Sequence, residues 1–301
     1  MAREYSEPDN VTFAFGIVAD CQYKPAADGN VEGRTQRYSE VPEKAKEAVR
    51  VWRGMSPGLA GVLNLGDTID GREGLAESLQ DLEEMTAVFD ALGPQLPILH
   101  VIGNHDLRVT RQECLTRLRL PAPYYSHPLG PGWRLLVLDT TQLTSGAGWE
   151  QGSPEAREAA EYLAAHPLGP GRTHMVAWNG GLGSKQRSWL AEELAAADAA
   201  GDRVIVASHH PLGWGSARDT HMAWDWEEVQ ALLLAARSPA LCLSGHDHMG
   251  GYARVGGLHF VTLEAMLEAP TGSNAFGVVY VTPHQLLLHG HGAMTSRTLQ
   301  L

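Results

Sequence analysis

Val62-Leu63-Asn64-Leu65-Gly66-Asp67 is the stretch on which the reading of this chain turns. An apolar run stops at a glycine and sets a carboxylate just past it, the form of a short buried strand. Strand ends are where α/β proteins meet ligands, because the sheet fixes the backbone and the loops stay open. Four more stretches have the same form: Phe13 to Asp20, Ile98 to Asp106, Val204 to His210 and Ala240 to His248. Five apolar runs that each end in Asp, Asn or His point to a metal centre at one edge of a sheet.

Between these runs the helical signals are clear. Glu43, Lys46, Ala48, Val49 and Trp52 keep helical spacing up to Gly54 and Pro57, and Leu75, Leu79, Leu82, Met85 and Phe89 do so again. A third amphipathic run passes through Gln186, Trp189, Leu190 and Leu194, and a fourth covers Trp226 to Ala236. Arg134 to Asp139 reads as a further core strand, and the tail from His259 to Leu288 is strand-rich. That order predicts an α/β (α+β) protein of two stacked sheets flanked by helices, one domain over residues 1–301. The Gly- and Pro-rich segment at about 145–174 reads as a surface insertion, with a helix capped by Ser153 and opened by Pro154.

Composition narrows the function. With 44% hydrophobic and 19% charged residues, the 301-residue chain is an ordinary globular protein. A formal charge of -12 argues against a nucleic-acid partner, which clustered Lys and Arg would hold. Bound cations could still bring an anionic substrate to an acidic protein. Cys21, Cys114 and Cys242 are scattered and odd in number, which fits a reducing compartment rather than a disulfide framework. No run is long enough to span a bilayer, so the expectation is a cytoplasmic protein with no membrane partner.

The strand ends supply Asp20, Gln22, Asp67, Asn104, His105, His209, His246 and His248. Two divalent cations about 3.5–4 Å apart need one ligand that touches both, and Asp67 is assigned that place. Asp20, Gln22 and His248 would complete one site; Asn104, His209 and His246 would complete the other. Mixed imidazole, carboxylate and amide donors suit Mn, Fe or Zn better than a pure oxygen cage would. Water bridging such a pair loses a proton near neutral pH and becomes a nucleophile.

Set out as Asp20-Cys21-Gln22, Gly66-Asp67, Gly103-Asn104-His105-Asp106, His209 and Gly245-His246-Asp247-His248, these motifs resemble those of the calcineurin-like metallophosphoesterases. The resemblance implies a four-layer αββα sandwich, His105 as proton donor to the leaving group or stabiliser of the transition state, and Asp106 as the residue orienting His105. Gln22 departs from the family's usual His. It resembles one branch, the Mn²⁺-dependent ADP-ribose/CDP-alcohol diphosphatases, as do Trp178 to Gln186 and Gly250-Gly251-Tyr252. An amide oxygen binds more weakly than imidazole and is harder, so Mn²⁺ is expected ahead of Fe, Zn, Co or Mg.

The expected function is therefore metal-dependent hydrolysis of the diphosphate bond in a small nucleotide-linked substrate. A cyclic-nucleotide or general phosphodiesterase on the same site is the alternative, and a scaffold that kept the fold but lost the chemistry is the alternative of another class. Intact ligand motifs and an intact His105 argue against the scaffold. Arg37, Arg108, Tyr252, Gly180 and Gly181 are candidate substrate contacts, the arginines for a second phosphate and the glycines as a phosphate cradle before a helix. Surface charge, rim packing and tight-turn geometry are the plain readings of the same residues. His210 competes with His209, and Asp70 reads as a turn residue or a supporting contact.

Overall fold

The computed structural model describes residues 8, 10–55, 58–145 and 148–301. Pro57, expected to help end the first helix, lies outside them.

Twelve strands form two six-stranded sheets. In chain order they are β1 (Phe13–Val18), β2 (Val62–Asn64), β3 (Ile98–His100), β4 (Tyr125–Gly130), β5 (Trp133–Val137), β6 (Arg203–Ala207), β7 (Pro239–Ser244), β8 (Met249–Val255), β9 (Leu258–Glu264), β10 (Ala275–Val281), β11 (Gln285–Gly292) and β12 (Arg297–Gln300). The first sheet runs β12-β11-β10-β1-β2-β3 and the second β8-β9-β7-β6-β5-β4. Both are mixed. In the first, β1, β2 and β3 are parallel and β10 to β12 antiparallel. In the second, β5, β6, β7 and β9 are parallel, with antiparallel edge strands β8 and β4.

Side-chain alternation builds the layers. Phe15 and Ile17 of β1 face the second sheet and pack with Leu135, Val137, Ile205 and Leu243. Ala14 and Val18 face the other way, onto helices α1 (Val41–Arg53) and α2 (Leu75–Asp90). Trp52 of α1 lies over Gly16, where an added Cβ would come within 2.8 Å of the indole, and its N–H donates to the Gly277 carbonyl at 3.1 Å. On the far side, Leu136, Val204 and Val206 pack against two helices, Gly183–Ala200 and Trp226–Ala235. Two helical layers thus enclose two sheets, the expected αββα order.

In the segment read from sequence as an insertion, Pro154–Ala165 is helical and the Ser153 side chain accepts from the Ala156 N–H at 3.2 Å. Its Ala159 packs with Leu143, Met175 and Trp224. No helix among the described residues is long and apolar enough to cross a membrane.

Candidate metal centre

Parallel strands β1, β2, β6 and β7 end on the same side, and each delivers its polar residues immediately after its last rung. The turns are tight. Asp20, Gln22, Asp67 and His246 all have φ between 44° and 69°, a left-handed backbone that non-glycine residues adopt only under local constraint. Glycines let backbone close on the carboxylates: a Cβ on Gly103 would lie 2.1 Å from Asp67 Oδ1, and one on Gly245 2.5 Å from Asp20 Oδ2. Those approaches are open to glycine alone.

All seven expected ligands come together. The Gln22 amide donates to Asp67 Oδ2 at 3.2 Å, and His209 Nε2 lies 3.3 Å from the same oxygen. His209 Nε2 is also 3.0 Å from Asn104 Oδ1 and 3.2 Å from His246 Nδ1. The His246 N–H donates to Asp20 at 3.0 Å, and His248 Nε2 sits 3.6 Å from Asp20 Oδ1. One ligand atom from each of Asp20, Asp67 and His209 fits within 4.8 Å of the others.

Proton placement on the imidazoles follows from their outer partners. His209 Nδ1 donates to the Leu65 carbonyl at 2.9 Å. His246 Nε2 donates to Asn179 Oδ1 at 2.7 Å, and that amide is oriented because its NH₂ donates to the carbonyls of His174 and Thr220. His248 Nδ1 donates to the Glu268 carboxylate at 2.8 Å. A ring that ligates a cation is neutral and keeps one N–H, so in that state His209 Nε2, His246 Nδ1 and His248 Nε2 each turn a lone pair inward. They face Asp20, Asp67 and Asn104 Oδ1, which are also acceptors. Gln22 Oε1 is buried and has no hydrogen-bond partner among the described residues. A pocket where so many lone pairs converge, met from the side chains by the Gln22 NH₂ on Asp67, is unfavourable for a protein alone and suits cations.

The charges respond accordingly. Burial raises the Asp20 carboxyl to about 6, against the pull of His248 and His209. Burial acts upward on Asp67 as well, but His209 and His105 overcome it and hold that carboxyl below the usual carboxylate range. Burial works against a charged His209, yet the Asp67 carboxylate lifts the imidazole to about 9. In His246, with neighbouring imidazoles rather than an anion beside it, burial prevails and the pKa falls well below normal.

His105 stands at the rim. Its backbone N–H donates to Asp67 Oδ1 at 2.8 Å, and its ring Nδ1 donates to the Asp70 carbonyl at 2.9 Å, with the Asp70 carboxylate at 3.5 Å. Lys24 holds that carboxylate at 2.6 Å. The expectation that Asp106 orients His105 is corrected here. Asp106 accepts the backbone N–H groups of Thr68 (2.8 Å), Ile69 (3.3 Å) and Gly103 (2.9 Å), so it ties the Asp67 and Asn104 loops together, and the His105 ring rests on Asp70.

Beyond His105 opens a cavity of about 1040 Å³ walled by Arg72, Arg108, Thr110, Trp149 and Trp178 among others. Arg108 is exposed there, its stem against Gly71. The other candidate substrate contacts lie elsewhere. Arg37 spends its guanidinium on the carbonyls of Thr35, Glu268 and Ala269. Tyr252, on edge strand β8, bonds His259 Nδ1 at 3.0 Å and is covered by Arg297. Gly180 and Gly181 are no phosphate cradle: a Cβ would strike the Thr140 carbonyl at 2.4 Å or Asp225 at 2.6 Å, so they are glycines for packing. His210 is buried on Thr140 and the Trp178 carbonyl.

Sequence reasoning missed Asn179, Glu268, Arg218 and His221. Asn179 was within reach, since its loop stood out. Arg218 pairs with Asp247 at 2.9 Å and His221 lies beside Trp178, in a polar loop with no signal of its own.

Comparison with known proteins agrees with this geometry. The model of the calcineurin-like phosphoesterase family matches residues 13–250. The chain is similar to the manganese-dependent ADP-ribose/CDP-alcohol diphosphatase of Arabidopsis thaliana, 33% identical over 94% of this chain and 96% of that protein. The protein of the same name from Homo sapiens is 29% identical, over 98% and 94%. A crystal structure of a dimetal phosphatase from Danio rerio superposes with a TM-score of 0.88 at 27% identity, over 97% of this chain and 99% of that one.

Proposed function

This chain belongs to the calcineurin-like phosphoesterase family, and from that premise we propose that it hydrolyses the diphosphate bond of nucleoside diphosphate-linked compounds such as ADP-ribose and CDP-alcohols. The observation that carries the proposal is the set of inward lone pairs on His209, His246 and His248, held there by three outward N–H bonds around Asp20 and Asp67. In this reading Asp20, Gln22, Asp67 and His248 hold one cation, and Asp67, Asn104, His209 and His246 the other, with Mn²⁺ favoured by Gln22. When bound, such a pair acts as a Lewis acid on the phosphoryl oxygens and makes water a nucleophile near neutral pH.

The chain's own residues supply the rest. Asp70 fixes the His105 ring through Nδ1 with its carboxylate 3.5 Å away. The imidazolium form, which carries a second proton on Nε2, would give that proton to the departing phosphate oxygen and be left neutral. Water adds to one phosphorus, the bridging P–O bond breaks, and a nucleoside monophosphate leaves with a phosphorylated partner. Arg108, which lines the cavity and has no ion pair or hydrogen bond of its side chain among the described residues, would meet the second phosphate.

The test is a substrate panel on chelated protein re-supplied with Mn²⁺, Mg²⁺, Zn²⁺ or Co²⁺. ADP-ribose and CDP-choline should outrun 2′,3′-cyclic AMP and bis-p-nitrophenyl phosphate, with Mn²⁺ the best activator. Faster turnover of the cyclic or aryl diesters would favour the phosphodiesterase reading.

A further inference from the structure

The three imidazoles differ in what holds their outer N–H. His209 rests on a backbone carbonyl and His246 on a neutral amide, whereas His248 rests on the Glu268 carboxylate at 2.8 Å. A carboxylate partner both aims an imidazole and raises its basicity as a ligand. His248 is the single imidazole at its proposed cation, beside the Gln22 amide, whereas the other cation would have two, His209 and His246; the strongest outer partner therefore serves the site with the fewest imidazoles. Glu268 is itself tightly placed. The backbone of its short turn bonds to the loop that carries Asp20, Met266 N–H to Ala19 O and Leu267 N–H to Asp20 O, both at 3.1 Å. Arg37 and Lys44 bond the carbonyls of Glu268 and Ala269 from the other side. Arg34 Nε lies 3.1 Å from Glu268 Oε2, an ion pair whose angle falls short of a hydrogen bond, which leaves Oε1 for His248. Both side chains are 11% exposed, so water competes little for this contact.

We propose that Glu268 is a positioning residue that sets the cation affinity of the Asp20–Gln22–His248 site, offsetting its smaller number of imidazoles. The inference rests on the dinuclear reading above. Its test measures metal binding rather than turnover: metal-free protein is titrated with Mn²⁺ and the unbound ion is read from its solution EPR signal. Wild type should take up two ions. Glu268→Gln keeps the size and an acceptor oxygen but drops the charge, and should weaken one ion roughly 10-fold while leaving the other unchanged. Glu268→Ala, which also frees the ring, should weaken that ion by up to about 100-fold. Circular dichroism melts of the metal-free proteins check folding, and the near-isosteric Gln variant carries the test if the Ala variant is unfolded. Equal weakening of both ions, or no change in either for folded Glu268→Gln, would overturn the role of Glu268. Wild type that binds fewer than two Mn²⁺ would instead overturn the dinuclear reading, and this inference with it.

Discussion

The floor of the pocket and the cavity wall beyond His105 are built on opposite terms. On the floor, Asp20, Asp67 and His209 are each no more than 1% exposed, hang from strand ends, and are joined with Asn104, His246 and His248 by contacts of 3.0–3.6 Å into one unit. On the wall, Trp178 is 43% exposed and Arg108 reaches out from a single turn of 3₁₀ helix, Asp106–Arg108. A floor of that kind leaves little freedom to change, because every side chain is a partner of the next. The wall can change one residue at a time. Chemistry is therefore assigned to the first region and substrate choice to the second.

The sharpest way to break that division is Asp67→Ala. It removes the proposed shared ligand, the acceptor of the His105 N–H and the anion opposite His209. Turnover of every substrate should fall together, by on the order of 10³-fold or more, in steady-state assays with saturating Mn²⁺. A variant that kept wild-type rate on any substrate would put the chemistry elsewhere.

Gln22→His should act within the floor without destroying it. Imidazole replaces an amide whose Oε1 has no other partner, so the activation profile should move from Mn²⁺ toward Zn²⁺, with kcat at the best metal within about 10-fold of wild type. An unchanged profile would mean that the amide oxygen is not a ligand.

The smallest effect belongs to the wall. Arg108→Gln should raise KM for ADP-ribose roughly 5–10-fold, about the worth of one partly screened charged contact, with kcat nearly constant. KM for bis-p-nitrophenyl phosphate, which has no second phosphate, should stay within about 2-fold. Equal shifts for both would assign Arg108 to general electrostatics.

The same division explains what could be read from the chain. Five strand-end motifs were legible because each side chain sits one or two residues past a buried run, where the sheet fixes its position. Helices α1 and α2 were legible from apolar spacing. Edge strand β4 was not: its His127 and Pro128 interrupt the pattern, and a proline is tolerated there because an edge strand need not donate every hydrogen bond. Strand β8 was hidden behind Gly250 and Gly251. Asp106 shows a subtler gap. A motif gives the order of residues but not the direction of a side chain, and this carboxylate turned inward to three backbone N–H groups. Glu268 lies 20 residues past His248, and only the return of β9 beside β8 brings it close.

The left-handed turns at Asp20, Gln22, Asp67 and His246 have a practical consequence. Each holds a conformation that costs on the order of 1–3 kcal/mol, and the cations that make the arrangement worthwhile bind only the folded chain. Metal depletion should therefore soften the protein before it unfolds, first at these four bends. At free Mn²⁺ 100-fold above the dissociation constant, each site would add about 2.7 kcal/mol of resistance to melting. A simple heating curve thus becomes a gauge of how fully the enzyme is loaded.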